Sequence, residues 1–308
     1  MPIKIAEGLP VTSQLIDQGV NIIKGDRADM QDIRPIRLII LNLMPTKEAT
    51  EFQLLRLIGG TSLQIEVDLM HTASYHSKNV TPGHLEKFYT TFDQVKDNYY
   101  DGLIITGAPV EQFDFEEVDY YEELVDIITW SETHVFSRFF ICWGAQFALN
   151  HYHGIEKISL DEKLFGIYTY KKIVDNHPFL RGFNDYYQIP ESRHTAMNDE
   201  QIRSHPDLEV LSEHEEFGSD IVATKDGRDL FIFGHLEYQR ETLELEYQRD
   251  VSRNLPIHVP ENYYPDDDPS QEPIVSWESY AYILFSNWIN ETYQETPYDI
   301  TQIPHHKK

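Results

Sequence analysis

The chain has 308 residues, 41% of them hydrophobic, and 52 acidic against 25 basic side chains give a formal net charge of −27. That balance opposes binding to a nucleic-acid backbone or an anionic membrane surface. The lone cysteine, Cys142, excludes an internal disulfide or a thiolate zinc cluster. With no signal-peptide-like leader or bilayer-length apolar run, a soluble, cytoplasmic protein is expected.

After an N-terminal arm (1–34), residues 37–43 read as a buried strand ended by Met44-Pro45, and 50–58 as a helix closed by Gly59-Gly60. Residues 63–69 alternate as a strand, 88–95 suggest a helix, and 100–107 form a short apolar strand closed by glycine. Helical spacing returns over 120–133, and the apolar run 139–141 leads into a helix from Ala145. The first half therefore predicts a doubly wound α/β core with a mostly parallel sheet flanked by helices.

In the second half, 208–211, 219–224 and 230–233 predict a mixed or antiparallel extension of the same sheet. Residues 256–273 read as a long surface connection, 277–293 as an aromatic helix, and 301–308 as a frayed tail. No linker separates the cysteine from the histidine discussed below. A single domain spanning 1–308, with its core over about 35–300, is expected.

Cys142 stands where an apolar strand passes into a helix, which projects a thiol and lets helix amides favour a thiolate and a nearby oxyanion. Residues 230–233 run likewise into Gly234-His235-Leu236-Glu237, supplying a base and a carboxylate. Both segments are strand C-terminal ends, where α/β proteins place chemistry, so Cys142, His235 and Glu237 read as a nucleophilic triad. No metal is expected, because His151 and His153, two apart on a helix, do not share a face.

Cys142-Trp143, Gly234-His235-Leu236-Glu237 and Thr106-Gly107-Ala108-Pro109 resemble the homoserine transacylases of methionine biosynthesis, which share the flavodoxin-like fold of class I glutamine amidotransferases. The likeness extends through Ile40-Leu41-Asn42-Leu43-Met44-Pro45, Asn262-Tyr263-Tyr264-Pro265 and Phe285-Ser286-Asn287-Trp288. Many relatives of the amidotransferase class carry proline where this chain has Leu236, between the two roles.

The resemblance implies an acyl-thioester on Cys142, proton acceptance by His235, and orientation of His235 by Glu237. It further implies substrate contacts at Lys163, Ser192 and Arg249, and a homodimer. The amides of Trp143 and of the Gly107 turn would donate to the oxyanion, and Lys47, in the loop after the first strand, would add positive charge. The substrates would be L-homoserine and an acyl-CoA, with no bound cofactor. Against so acidic a chain, the anionic coenzyme A needs a locally basic site.

The position resembling the family's acyl-selectivity site is Glu111. A glutamate fills the room a glycine would leave, and sets a charge where the distal carboxylate of succinyl would lie. At about 4 Å and an effective dielectric of about 20 that costs about 4 kcal/mol, so acetyl-CoA is the expected donor. A homoserine O-succinyltransferase, a hydrolase or amidotransferase with the same triad, and a silent α/β binding module are the competing readings.

Overall fold

A computed structural model describes residues 3–18, 20, 22, 34–74, 81 and 83–305. In chain order the elements begin with β1 (Ile3–Lys4), α1 (Thr12–Asp17), β2 (Ile36–Leu41), α2 (Lys47–Ile58) and β3 (Ile65–Met70). Then come α3 (His84–Phe88), β4 (Tyr89–Thr90), α4 (Phe92–Val95), β5 (Tyr100–Ile105), α5 (Tyr121–His134), β6 (Val135–Ile141) and α6 (Trp143–His153). The second half adds β7 (Lys157–Lys172), β8 (Tyr186–Met197), α7 (Asp199–Ser204), β9 (Leu208–Val210), β10 (Ser212–His214) and β11 (Gly218–Ser219). It closes with β12 (Ile221–Thr224), β13 (Asp229–Ile232), α8 (Thr242–Ser252) and α9 (Glu278–Glu295).

The main sheet runs β1-β3-β2-β5-β6-β13-β12-β9, with β4 beside β3. Its strands are parallel as far as β13, and β12 and β9 continue it antiparallel. All seven residues of β6 are buried, because helices cover both faces and each face needs apolar side chains. Leu124, Ile127, Ile128 and Phe147 of α5 and α6 pack one face, and Leu54, Leu55, Leu284 and Trp288 of α2 and α9 pack the other. Gly102 in β5 admits that second layer, since a Cβ there would lie 2.8 Å from the Trp288 ring.

Two polar contacts inside this core are well made. Arg138 and Asp229 make a buried two-point ion pair with contacts of 2.5 and 2.7 Å, and Trp288 Nε1 donates to Ser137 Oγ at 2.9 Å.

The parallel core and its antiparallel extension are as the sequence predicts, but the extension is only part of the second half. A separate antiparallel sheet, β11-β10-β7-β8, stands beside the first. Its long β7–β8 hairpin has a register irregularity between Ser159 and Leu164. The sequence predicts no strand over 157–197, because the brief alternation Lys157-Ile158-Ser159-Leu160 is cut by the charged run Asp161-Glu162-Lys163 within β7. The expected strand 219–224 is divided at Asp220, where the chain leaves the second sheet and enters the first.

Further boundaries also move. Ile3–Lys4 pairs in parallel with β3, so the core begins inside the expected arm. The expected helix 88–95 is two short helices around β4. The connection 256–273 buries Tyr263 and Tyr264 at its centre. Residues 300–305 form a 3-10 helix with Ile303 buried, so the expected tail is docked that far, and 306–308 lie outside the described residues. Among the described residues no helix is long and apolar enough to cross a membrane, and no three His, Cys, Asp or Glu side chains are grouped to hold a metal ion.

Candidate active site

The ends of β5, β6 and β13 meet at one point. Cys142 follows β6 with φ +50° and ψ −116°, a backbone rarely adopted by a side chain other than glycine, and α6 begins at the next residue. Its N–H donates to the Ile232 carbonyl at 2.7 Å, so the strained residue is held by the neighbouring strand. Gly144 lets α6 start this close to the sheet, since a Cβ there would lie 2.8 Å from the Thr106 carbonyl oxygen. A Cβ on Gly107 would lie 3.3 Å from Cys142 Cβ and 3.6 Å from His235 Cε1, which puts the glycine turn directly against sulfur and imidazole. The Trp143 side chain packs away from this point, against Phe115, Tyr120 and Phe147.

His235 is buried and its Nδ1 lies 2.7 Å from Glu237 Oε1, leaving Nε2 for the Cys142 sulfur. Burial works against a charged ring, yet the Cys142 sulfur and the Glu237 carboxylate, through charge and hydrogen bonding, outweigh it and hold His235 well above the ordinary histidine value. Tyr238 stacks on the imidazole. Arg56, buried on α2, donates to the carbonyls of Glu237 and Tyr238 at 3.2 and 3.4 Å and pairs with Glu278 at 2.9 Å. Trp277 Nε1 donates to the Tyr238 carbonyl at 2.8 Å. Leu236 is core.

Lys163, Ser192 and Arg249 come from β7, β8 and α8, and a residue the sequence reading did not single out draws the first two together. The Glu246 carboxylate accepts from Ser192 Oγ at 2.6 Å and Tyr238 OH at 3.0 Å, and lies 3.4 Å from Lys163 Nζ. The signal was its spacing, since Glu246 and Arg249 are three apart on one helix face. Arg249 is engaged by Asp250 through Nε and Nη2 at 2.7 and 2.9 Å. Lys163 also lies 4.1 Å over the Phe165 ring.

Glu111, half-buried, turns its carboxylate to β8, where it accepts from the His194 N–H at 2.9 Å and Thr195 Oγ1 at 3.3 Å. Thr195 Oγ1 also lies 2.9 Å from Gln146 Oε1 on α6, one turn beyond Cys142. Lys157 Nζ donates to the Glu111 carbonyl at 2.9 Å.

Lys47 differs from expectation. It is the first residue of α2 and is buried, not a loop lysine. Its ammonium donates to the Asn42 carbonyl at the end of β2 and, among the described residues, makes no hydrogen bond to Cys142, Gly107 or Trp143. Burial, only partly offset by Glu51, lowers its pKa to about 8.

A mostly parallel sheet flanked by helices, with Cys142 on a strained strand-to-helix turn, is the class I glutamine amidotransferase-like fold. Among solved structures the chain is similar in fold to a glutamine amidotransferase from Thermotoga maritima, at TM-score 0.54 and 14% identity over 84% of this chain and 99% of that one. It is likewise similar to a glutamine amidotransferase from Methylobacillus flagellatus, at TM-score 0.52 and 13% identity over 84% and 95%.

The homoserine O-succinyltransferase family model matches residues 2–298, and the chain belongs to that family. It is 52% identical over 301 residues to a homoserine O-acetyltransferase of Brevibacillus brevis, covering 97% of this chain and 98% of the relative. To a homoserine O-acetyltransferase of Acetivibrio thermocellus it is 51% identical over 304 residues, covering 98% and 100%.

Proposed function

We propose that this protein is a homoserine O-acetyltransferase of methionine biosynthesis, moving acetyl from acetyl-CoA to the hydroxyl of L-homoserine by a ping-pong route through Cys142. The observation that carries the reading is the convergence of Cys142, His235 and Glu237 in a chain about half identical, end to end, to acetyltransferases of that name. The Cys142 sulfur attacks the acetyl carbonyl carbon, and the tetrahedral oxyanion is met by the Trp143 and Gly107 amides. The carbon–sulfur bond to coenzyme A breaks, and the leaving thiolate takes the proton from His235. One thioester replaces another, so little free energy is lost. Homoserine's hydroxyl then attacks the acetyl-cysteine while His235 takes its proton, and the ester leaves with the sulfur restored.

The charged cluster beside His235 suits an amino acid. Glu246, shared by Ser192, Lys163 and Tyr238, receives the α-ammonium, while the Nη1 side of Arg249, which Asp250 does not engage, and the Lys163 ammonium receive the carboxylate. Lys47 acts indirectly, through the Asn42 carbonyl at the end of β2. Acetyl is preferred over succinyl because Glu111, tied to His194 and Thr195, fills the space a longer acyl group would need. Lys157 stands close and Glu111 is half-exposed, so charge repulsion supplies only part of the preference. The enzyme works in the cytoplasm as a homodimer, without a bound cofactor. The dimer is read from the family resemblance and would be checked by sedimentation.

Intact-mass spectrometry tests the reading. Acetyl should load on Cys142 from acetyl-CoA and leave when homoserine is added. Loading from succinyl-CoA instead would overturn the donor assignment, and release by water or absence of loading would overturn the transferase.

A further inference from the structure

β13 ends at Ile232, yet the next three amides all find acceptors. Phe233 N–H donates to the Asp220 carbonyl at 3.2 Å, Gly234 N–H to Asp220 Oδ1 at 3.0 Å, and His235 N–H to the Pro190 carbonyl at 2.8 Å. Asp220 thus supplies two of the three, one from its backbone and one from its side chain. It is the single residue between β11 and β12, where the chain passes from the second sheet to the first.

Asp220 is fully buried, and its other oxygen, Oδ2, accepts from Tyr187 OH of β8. Tyr187 OH in turn lies 2.7 Å from Ser212 Oγ, which accepts from the Ile221 N–H at 3.0 Å. The approach between the strands is tight, since a Cβ on Gly234 would lie 2.6 Å from the Ile189 side chain and 3.0 Å from the Pro190 carbonyl oxygen. Position 234 therefore has no room for a side chain, and its N–H is turned to Asp220 in the same turn from which His235 emerges.

We infer that Asp220 is a positioning residue: by accepting from the Gly234 N–H and Tyr187 OH at once, its carboxylate docks the second sheet against the His235 turn and fixes the imidazole over Cys142. This rests on the triad reading above. A buried carboxylate is costly unless each oxygen is used, and here each has a donor. A fixed acceptor matters because a displacement of about 1 Å at a reacting group costs about a hundredfold in rate.

The test compares Asp220→Ser, whose oxygen is one bond shorter and cannot reach Gly234, with Asp220→Asn, whose Oδ1 still accepts from the Gly234 N–H while its amide nitrogen donates to Tyr187 OH, which turns its own proton to Ser212 Oγ. Rates of Cys142 acetylation from acetyl-CoA, kcat and KM for homoserine, and the NMR titration midpoint of His235 are measured in the full chain. Asp220→Ser should lose about 10–100-fold in the acetylation rate and in kcat, with KM changed less than about threefold and the His235 midpoint moved down toward the free value of about 6.5. Asp220→Asn should restore both readouts. A serine variant that acetylates and titrates as the unsubstituted enzyme does, or an asparagine variant as impaired as serine, overturns the role.

The underlying reading is judged separately, on the unsubstituted enzyme: if that fails to load acetyl, the transferase fails, and the His235 midpoint alone then judges Asp220. Should the serine variant not fold, hydrogen exchange decides. A Gly234 amide protected as strongly as those of β13 supports the inference, and one exchanging as freely as a surface turn overturns it.

Discussion

The Tyr238 ring lies 4.2 Å from that of His235, tilted by only 14°, while its hydroxyl donates to Glu246 at 3.0 Å. One side chain thus touches both the proposed base and the carboxylate proposed to hold the amino acid. Burial first, then Glu246, Glu237 and Cys142, raise the phenol well above its ordinary value, so it stays a donor. Tyr238→Phe keeps the stack and loses the donor. KM for homoserine should rise about 3–10-fold, from about 1 kcal/mol of lost hydrogen bond, with Cys142 acetylation unchanged. A slowed acetylation step in stopped-flow would refute this division of labour.

Glu237→Gln removes the charge that helps keep His235 protonated. By analogy with other triads, kcat should fall by about 10²–10⁴, and the His235 midpoint should move down. The sign for stability follows from a histidine whose folded value is raised. Its contribution is full below about 6.5 and fades as pH rises through the folded midpoint. Urea unfolding should therefore show the variant's deficit largest near pH 6 and shrinking at higher pH, and a deficit that grows with pH would contradict the pairing.

Glu111→Gly opens the space beside β8 and removes the carboxylate held by His194 and Thr195. The ratio of succinyl-CoA to acetyl-CoA kcat/KM should rise at least about tenfold, corresponding to about 1.4 kcal/mol. A ratio that stays flat would place selectivity elsewhere.

Lys47, with its pKa lowered to about 8, is held in the fold at a cost when protonated. Between about pH 8 and 10 the unfolded chain binds more protons at this residue than the folded one, so its contribution improves as pH rises. Lys47→Met should therefore stabilise the fold at pH 7 by about 1–3 kcal/mol, with the gain shrinking by pH 9.5. Thermal melts at the two pH values check this, and an equal gain at both would show that the ammonium carries no burial cost.

How far the sequence reaches is clearest at the ends of β5, β6 and β13. Short apolar strands broken by Gly107, Cys142 and Gly234 place Cys142 and His235 together at the carboxyl ends of neighbouring strands, and the positive φ of Cys142 agrees with a residue forced onto a turn. The second sheet was not legible because Lys163 and Ser192 lie in a hairpin whose first half is polar and exposed, with the buried Phe165-Gly166-Ile167-Tyr168 run too short to stand out. Lys47 was misread because lysine usually snorkels to water, and nothing local foretold the Asn42 carbonyl. Glu246 carries one local signal, its three-residue spacing from Arg249, but its partners Ser192 and Lys163 lie on other strands. Asp220 has no such signal, because Tyr187 and Gly234 reach it from β8 and from the turn after β13.

The bridge between Gly166 and Glu261 bears on how the molecule assembles. Glu261 N–H donates to Phe165 O at 3.0 Å and Ile167 N–H to Glu261 O at 2.8 Å, and a Cβ on Gly166 would lie 2.4 Å from the Glu261 backbone. This seam joins segments about a hundred residues apart in the chain. Non-local closure is slow. In refolding from denaturant, helix content should therefore recover well before the Ile167 and Glu261 amides regain protection from exchange, which makes the strand that carries Lys163 late to settle.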